Sequence, residues 1–101
     1  MANFVKVASV PEIPLGQGKT IEAGGRKIAL FNVDGKFFAI DNTCAHRGGP
    51  LGEGSLEEKT VTCPWHGWRY DVTTGVSEIS PDVGVPSYPI KVEGQDIYVA
   101  V

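Results

Sequence analysis

Short runs of apolar residues, separated by turn residues, mark candidate β-strands in the first part of the chain. Residues 4–7 form a short alternating run, and residues 26–33 and 36–40 are rich in β-branched and aromatic side chains. Asp34-Gly35 separates the last two runs, and such a pair between apolar segments is a strong signal for a tight hairpin. The sequence therefore predicts an N-terminal strand and, after an interval rich in turn residues, a β-hairpin.

The end of the chain repeats this pattern. Residues 88–92 and 95–101 flank Glu93-Gly94 and predict a second hairpin. No apolar stripe persists at helical spacing for more than a turn or two, and residues 51–59 form at most one short helical turn. The chain is therefore expected to adopt an all-β, antiparallel fold.

Residues 41–81 differ in composition from the strand-forming segments on either side. They are rich in glycine, with four glycines between positions 48 and 54, and they contain a small hairpin candidate around Thr74-Gly75. Loops on a rigid scaffold are where binding residues usually lie. We expect a glycine-rich loop region here that interrupts a β base.

Length, composition and charge narrow the class of protein. The chain has 101 residues, enough for one domain with a single core, and a formal net charge of −3. A chain with this slightly negative net charge has no general electrostatic reason to bind nucleic acid or anionic lipid. The first ten residues do not resemble a signal peptide, and no run approaches the roughly 20 apolar residues of a membrane helix. A soluble, cytoplasmic protein is expected.

All the cysteines and histidines of the chain fall in two short clusters. Cys44 and His46 form the first cluster, Cys63 and His66 form the second, and sixteen residues separate the two. Thiolate and imidazole are the side-chain ligands suited to zinc and iron. The sequence therefore predicts that these four residues bind a metal centre, with both clusters on loops bracketed by strands.

Three interpretations of the four residues compete. Two thiolates and two imidazoles would make a closed zinc site. They would also hold a binuclear iron–sulfur cluster in which two histidines replace two cysteines on one iron. The third interpretation is a disulfide, which leaves both histidines unexplained. Zinc-finger spacing usually groups like ligands, whereas here each loop carries one cysteine and one histidine. If both thiolates bind one iron and both imidazoles bind the other, each loop must supply one ligand to each iron. The mixed loops therefore favour the iron–sulfur interpretation over zinc.

The two segments resemble the cluster-binding loops of Rieske proteins. Cys44-Ala45-His46-Arg47-Gly48-Gly49-Pro50-Leu51 is similar to the first loop, and Cys63-Pro64-Trp65-His66-Gly67-Trp68-Arg69-Tyr70-Asp71 is similar to the second. The resemblance implies one Rieske-type [2Fe-2S] cluster per chain. It also implies a single Rieske domain over residues 1–101, in which a cluster-binding subdomain of about 41–81 is inserted in a β base formed by 1–40 and 82–101.

The resemblance further implies the division of ligands and the branch of the family. Cys44 and Cys63 would hold the iron that stays ferric, and His46 and His66 would hold the iron that accepts the electron. Rieske subunits of cytochrome bc-type complexes carry an extra cysteine in each loop and a membrane anchor, and this chain has neither feature. It resembles instead the soluble ferredoxins of bacterial ring-hydroxylating oxygenase systems, which serve the catabolism of aromatic hydrocarbons.

A ferredoxin of this kind is an electron carrier and not itself an enzyme. The resemblance implies that it takes electrons from a flavin-dependent NAD(P)H ferredoxin reductase and passes them to a terminal oxygenase. Docking is expected to be transient, at the tip that carries His46 and His66, and the carrier is expected to be a monomer. The alternatives are a small Rieske subunit of another oxidoreductase complex, such as a nitrite reductase, and a zinc-stabilised β module used for binding.

Several residues close to the predicted ligands in the sequence have expected roles. Tyr70 is expected to donate a hydrogen bond to a cysteine sulfur, or else only to pack, and Trp68 stands where high-potential relatives have serine. Trp65 and Leu51 are candidates for an apolar docking rim, although Trp65 would serve equally to shield the cluster. Further charged residues near the loops are candidates either for partner contacts or for ordinary solvated positions: Arg47, Arg69, Glu53, Glu57 and Glu58.

Overall fold

The computed structural model describes residues 4–43, 49–65, 67–78 and 83–100. Within these ranges the chain forms ten strands and two short 3-10 helices, and no α-helix, so the all-β prediction is confirmed. The strands are β1 (Phe4–Ser9), β2 (Gly18–Ala23), β3 (Arg26–Val33), β4 (Lys36–Asp41), β5 (Ser55–Glu57), β6 (Thr60–Thr62), β7 (Arg69–Asp71), β8 (Ser87–Tyr88), β9 (Ile90–Glu93) and β10 (Asp96–Ala100). The 3-10 helices are Val10–Glu12 and Leu51–Glu53.

The strands form three sheets in which every pairing is antiparallel. We name them the terminal sheet, with strand order β1-β10-β9, the central sheet, with order β2-β3-β4-β8, and the small sheet, with order β5-β6-β7. The small sheet is built from residues 55–71, which are the residues around the second predicted ligand cluster. The other two sheets come from the segments before and after it.

The predicted hairpin at Asp34-Gly35 is observed. Val33 pairs with Lys36, and the two residues between them have φ angles of 54° and 89°. Positive φ at both central positions is the geometry of a type I′ turn, whose twist matches that of the flanking strands. The C-terminal hairpin is also present, but Glu93 pairs with Asp96, so its turn lies one residue later than predicted.

Strand β2 was not predicted. Its sequence, Gly18–Ala23, has few β-branched residues, and only Ile21 and Ala23 on it are buried. It pairs along its whole length with β3 through a turn at Gly24-Gly25, where φ is 56° and 78°. A Gly-Gly pair next to an apolar strand is a recognised hairpin signal, and it was the clue available in the sequence.

Strand β3 connects the two halves of the hydrophobic core because both of its faces are covered. Ile28 and Leu30 point into a first core shared with the terminal sheet. Ala29 and Phe31, on the opposite face, point into a second core that includes Leu51 and other residues of the interval 41–81. Alternate side chains of a strand lie on opposite faces, so an unbroken apolar run is what a strand covered on both sides requires. The second core is the one that contains Cys63.

No helix in the described ranges has the length and apolar character needed to span a bilayer.

Candidate metal centre

Of the four predicted ligands, Cys63 lies within the described residues. It follows β6 directly, is 2% exposed, and packs in the second core. Cys44, His46 and His66 lie outside the described residues. The roles of all four as ligands therefore stay a prediction from the sequence.

The second ligand segment is a short loop that joins β6 to β7. Thr62 pairs with Arg69, and just inside that pair the Cys63 amide donates to the Trp68 carbonyl at 2.7 Å. The Gly67 amide donates to the Cys63 carbonyl at 3.0 Å, and Gly67 has a φ of 75°. Glycine adopts this left-handed conformation at little cost, which explains its place in the loop. The backbone around Cys63 is thus fixed on both sides by hydrogen bonds.

The two ends of the first ligand segment are held together. Thr43 and Pro50, which stand on either side of residues 44–49, form an antiparallel bridge. The Thr43 amide also donates to Oδ1 of Asp41 at 2.9 Å, and the Leu51 amide donates to the Asn42 carbonyl at 2.7 Å. The residues that flank the segment with Cys44 and His46 therefore lie next to each other.

Gly49 brings the two segments into contact. A Cβ atom built on Gly49 would lie 2.7 Å from Sγ of Cys63, a distance that real side chains do not show, and 3.0 Å from Cγ of Trp65. The backbone of the first segment therefore packs directly against the sulfur of the second. The thiol of Cys63 is buried and has backbone beside it, and the other cysteine and both histidines of the chain belong to the same two segments. These features fit an iron–sulfur centre.

The aromatic residues of the second segment differ in exposure. Tyr70 on β7 is fully buried in the second core with Cys63, and Trp68 packs against the same core. Trp65 is 57% exposed, which makes it a large apolar group on the surface beside Cys63. Leu51 is fully buried in the second core, so the expectation that it forms part of an apolar rim is wrong. Its side chain packs inside the second core and does not face a partner.

The charged residues in the described part of the site occupy ordinary surface positions. Arg69 forms a salt bridge with Glu78, with Nε and Oε2 3.4 Å apart and both side chains about half exposed. Glu53, Glu57 and Glu58 are exposed. Arg47 lies outside the described residues. For Arg69 the plain interpretation as a surface ion pair therefore holds, and such pairs contribute about 0–1 kcal/mol.

Asp71, at the end of β7, organises the turn that leads to Thr74-Gly75; this role of its side chain was not predicted from the sequence. Its Oδ1 atom accepts hydrogen bonds from the amide of Thr73, at 2.8 Å, and from the Thr73 hydroxyl, while Lys59 lies 3.6 Å from Oδ2. Partial burial acts to raise the pKa of Asp71, but the two bonds from Thr73 and the charge of Lys59 outweigh it and lower that pKa. The Asp-x-Thr pattern was the available signal, because Asp commonly bonds the backbone two residues on.

The chain matches the sequence profile of the Rieske [2Fe-2S] domain over residues 3–89. It is 39% identical to the biphenyl dioxygenase ferredoxin subunit of Pseudomonas sp. (strain KKS102), an alignment covering 96% of this chain and 91% of that protein. The ferredoxin of carbazole 1,9a-dioxygenase from Nocardioides aromaticivorans IC177 has the same fold, with a TM-score of 0.90, 27% identity and 97% of each chain covered.

A further solved structure, the complex of reduced oxygenase and oxidized ferredoxin in carbazole 1,9a-dioxygenase, contains a chain with a TM-score of 0.87 and 29% identity to this one. The match covers 96% of this chain and 92% of that chain. Together, the profile match over most of the sequence and the near full-length similarity show that this chain belongs to the Rieske [2Fe-2S] domain family, whose cofactor is a Rieske-type [2Fe-2S] cluster.

Proposed function

We propose that this protein is a one-electron carrier that takes electrons from an NAD(P)H-dependent flavoprotein reductase and delivers them to the terminal oxygenase of a ring-hydroxylating system. The observation that carries the proposal is the similarity, over nearly the whole of both chains, to a protein named as a dioxygenase ferredoxin subunit. The relative whose ferredoxin is in complex with its oxygenase supports an oxygenase as the receiving partner. The reductase is proposed because a carrier needs a donor.

The ligands we propose are Cys44 and Cys63 for one iron and His46 and His66 for the other. The spacing of the four residues and the burial of Cys63 support this assignment. We further propose that residues 41–81 act as a cluster-binding subdomain inserted in the base formed by 1–40 and 82–101. The small sheet and the second core, which package the Cys63 segment, support that division.

When bound, the cluster supplies reversible uptake of a single electron. The chain's own residues provide its setting. The second core surrounds Cys63 and keeps water from the sulfur, and the Gly49 backbone closes one side of it. Trp65, exposed next to Cys63, provides an apolar surface that a partner can cover. Aromatic side chains of this kind are enriched among the residues that dominate interface energies.

The protein carries electrons and does not itself transform a substrate. An oxygenase needs a second, catalytic iron with its own ligands, and the chain has only two histidines, both within the ligand clusters. The relatives that match over nearly the whole of both chains include a biphenyl dioxygenase ferredoxin subunit and the ferredoxin of carbazole 1,9a-dioxygenase. We also propose that it acts as a monomer in the cytoplasm.

A rapid-mixing experiment tests the proposed transfer. The reduced holoprotein is mixed with an oxidised ring-hydroxylating oxygenase, and the visible absorbance of both proteins is followed. The proposal predicts single-exponential reoxidation of the carrier, with one electron transferred per chain. The Cys63→Ser variant, prepared in parallel, should carry less cluster and transfer correspondingly fewer electrons. Loaded wild-type protein that exchanges no electrons with any such oxygenase would contradict the proposal.

The oligomeric state separates a free carrier from a subunit of a larger oxidoreductase such as a nitrite reductase. A carrier should bind its partners weakly and elute on a sizing column at the mass of one chain, 10.8 kDa. Stable co-elution with a large subunit from the native cells would favour the subunit.

A further inference from the structure

A buried asparagine joins the central sheet to the first ligand segment. Asn42 is 5% exposed and lies two residues before Cys44. Its Oδ1 atom accepts two hydrogen bonds, one from the hydroxyl of Thr20 on β2, at 3.0 Å, and one from the amide of Gly52, at 2.7 Å. A buried acceptor whose donors come from two different elements fixes those elements relative to each other, because losing either bond leaves a buried polar group short of a partner.

The backbone of Asn42 reinforces the same link. Its amide donates to the Lys27 carbonyl at 3.1 Å, and its carbonyl accepts from the Leu51 amide at 2.7 Å. Gly52 packs so closely that a Cβ built on it would lie 2.8 Å from the backbone nitrogen of Thr20 and 2.9 Å from Oδ1 of Asn42. Residues 51 and 52 are therefore held at a fixed distance from β2, with no room for a side chain at position 52.

The residues held by Asn42 are connected through the backbone to the residue that contacts the sulfur of Cys63. Pro50 lies between the anchored residues 51–52 and Gly49, and Gly49 is the residue whose backbone packs against Sγ of Cys63. Leu51 shares the second core with Cys63. A shift of the 51–52 backbone away from β2 is therefore expected to move the backbone that lies against the sulfur.

We propose that Asn42, with the hydroxyl of Thr20, is a positioning residue that sets the reduction potential of the cluster. The inference rests on the proposed function, since it requires the cluster to be bound beside Cys63. Backbone N–H groups directed at a cluster sulfur stabilise the added electron, and hydrogen bonds to sulfur are one of the means by which a protein raises the potential. Loosening the link should take backbone away from the sulfur and lower the midpoint.

Two variants at position 20 test this without touching the ligand segments. Thr20→Val removes the hydroxyl at nearly constant shape, and Thr20→Ser is the matched control that keeps it. The midpoint potential of the holoprotein and the EPR spectrum of its reduced form are measured, together with the rate at which a chelator removes iron. We expect Thr20→Val to lower the midpoint and to speed iron loss roughly tenfold, as for other residues that orient metal ligands, while Thr20→Ser behaves as the wild type.

The outcomes separate the possible failures. A Thr20→Val protein that is less stable to heat, but keeps the wild-type midpoint and spectrum, would overturn the inference and make the link purely structural. Equal shifts in Thr20→Val and Thr20→Ser would also overturn it, because the hydroxyl would not be responsible. Wild-type protein that holds no [2Fe-2S] cluster would overturn the proposed function and this inference with it. Asn42→Leu, which removes the acceptor itself, should shift the midpoint in the same direction if the variant folds.

Discussion

Gly49 packs against Cys63 so closely that a side chain at position 49 would occupy the space of the sulfur atom: its Cβ would stand 2.7 Å from Sγ. The contact joins the two segments that carry the predicted ligands. It also makes position 49 a suitable place at which to test whether their packing matters for the metal centre.

Gly49→Ala should prevent or strongly reduce loading with the cluster. The added methyl group cannot be accommodated without moving the Cys63 sulfur or the ring of Trp65. Gly94→Ala is the matched control, because a Cβ there meets open space. Its only cost in stability is that of an alanine in left-handed backbone, with a φ of 61°, roughly 1 kcal/mol. Iron content and visible absorbance should therefore fall in the first variant and stay normal in the second. Full loading of Gly49→Ala would show that the two segments can separate without loss of the site.

Tyr70→Phe should lower the midpoint potential by some tens of millivolts. Tyr70 is fully buried in the core that holds Cys63, and a phenolic donor near the cluster would stabilise the reduced state. Protein-film voltammetry on the holoprotein measures the shift. Tyr98→Phe serves as the control, since Tyr98 lies on the terminal sheet, with Lys91 over its ring. An unchanged midpoint in Tyr70→Phe would mean that Tyr70 contributes packing only.

Trp65→Ala should weaken docking while leaving the midpoint unaltered. Removal of an exposed aromatic anchor commonly costs an interface about 2 kcal/mol, which corresponds to roughly a thirtyfold rise in Kd. The concentration dependence of electron transfer to the oxygenase gives this change. Leu15→Ala is the control, because Leu15 is 67% exposed but lies beside the β3–β4 turn, where it lines a separate groove with Val33 and Asp34. If both variants bind alike, Trp65 does not anchor the partner.

Asp71→Asn should destabilise the fold in a pH-dependent way. The folded pKa of Asp71 is lowered, so its charge contributes stability above the unfolded pKa of about 3.9, and this contribution is lost as the pH falls through the folded pKa. Loss of the charged acceptor is worth about 1 kcal/mol, or about 4–8 °C in Tm. Thermal unfolding followed by circular dichroism should show the full difference at pH 7 and pH 5 and a smaller one below pH 4.

The control for Asp71 is Glu57→Gln, which removes an exposed carboxylate from the same small sheet. Its Tm should stay within the small range typical of surface substitutions. A difference between wild type and Asp71→Asn that stays constant down to pH 3 would contradict an electrostatic role for Asp71.

The sequence predicted the elements whose signals are local. The hairpin at Asp34-Gly35 was placed correctly because an Asp-Gly pair fixes both the turn type and the register. The β5–β6 hairpin was missed, since its turn contains Glu58 and Lys59 and places Glu58 at a φ of 55° with no glycine to mark it. A small hairpin was predicted around Thr74-Gly75, and an antiparallel bridge between Tyr70 and Ser77 is found there.

Burial within the site could not be predicted in the same way. Leu51 and Trp65 are both apolar and both close to a ligand cluster, yet Leu51 is fully buried and Trp65 is exposed. Which of them faces solvent depends on the second core, to which strands far apart in sequence contribute. Asn42 gives no signal in the sequence either, because its role depends on a contact with Thr20 that spans 22 positions.

Low-temperature EPR of the dithionite-reduced protein decides whether this chain binds a histidine-ligated [2Fe-2S] cluster. Iron and acid-labile sulfide are counted on the same sample. We expect a rhombic signal whose average g value lies well below that of all-cysteine ferredoxins, with about two irons and two sulfides per chain. A colourless, EPR-silent protein containing one equivalent of zinc would contradict this expectation and indicate a structural metal site on a β scaffold.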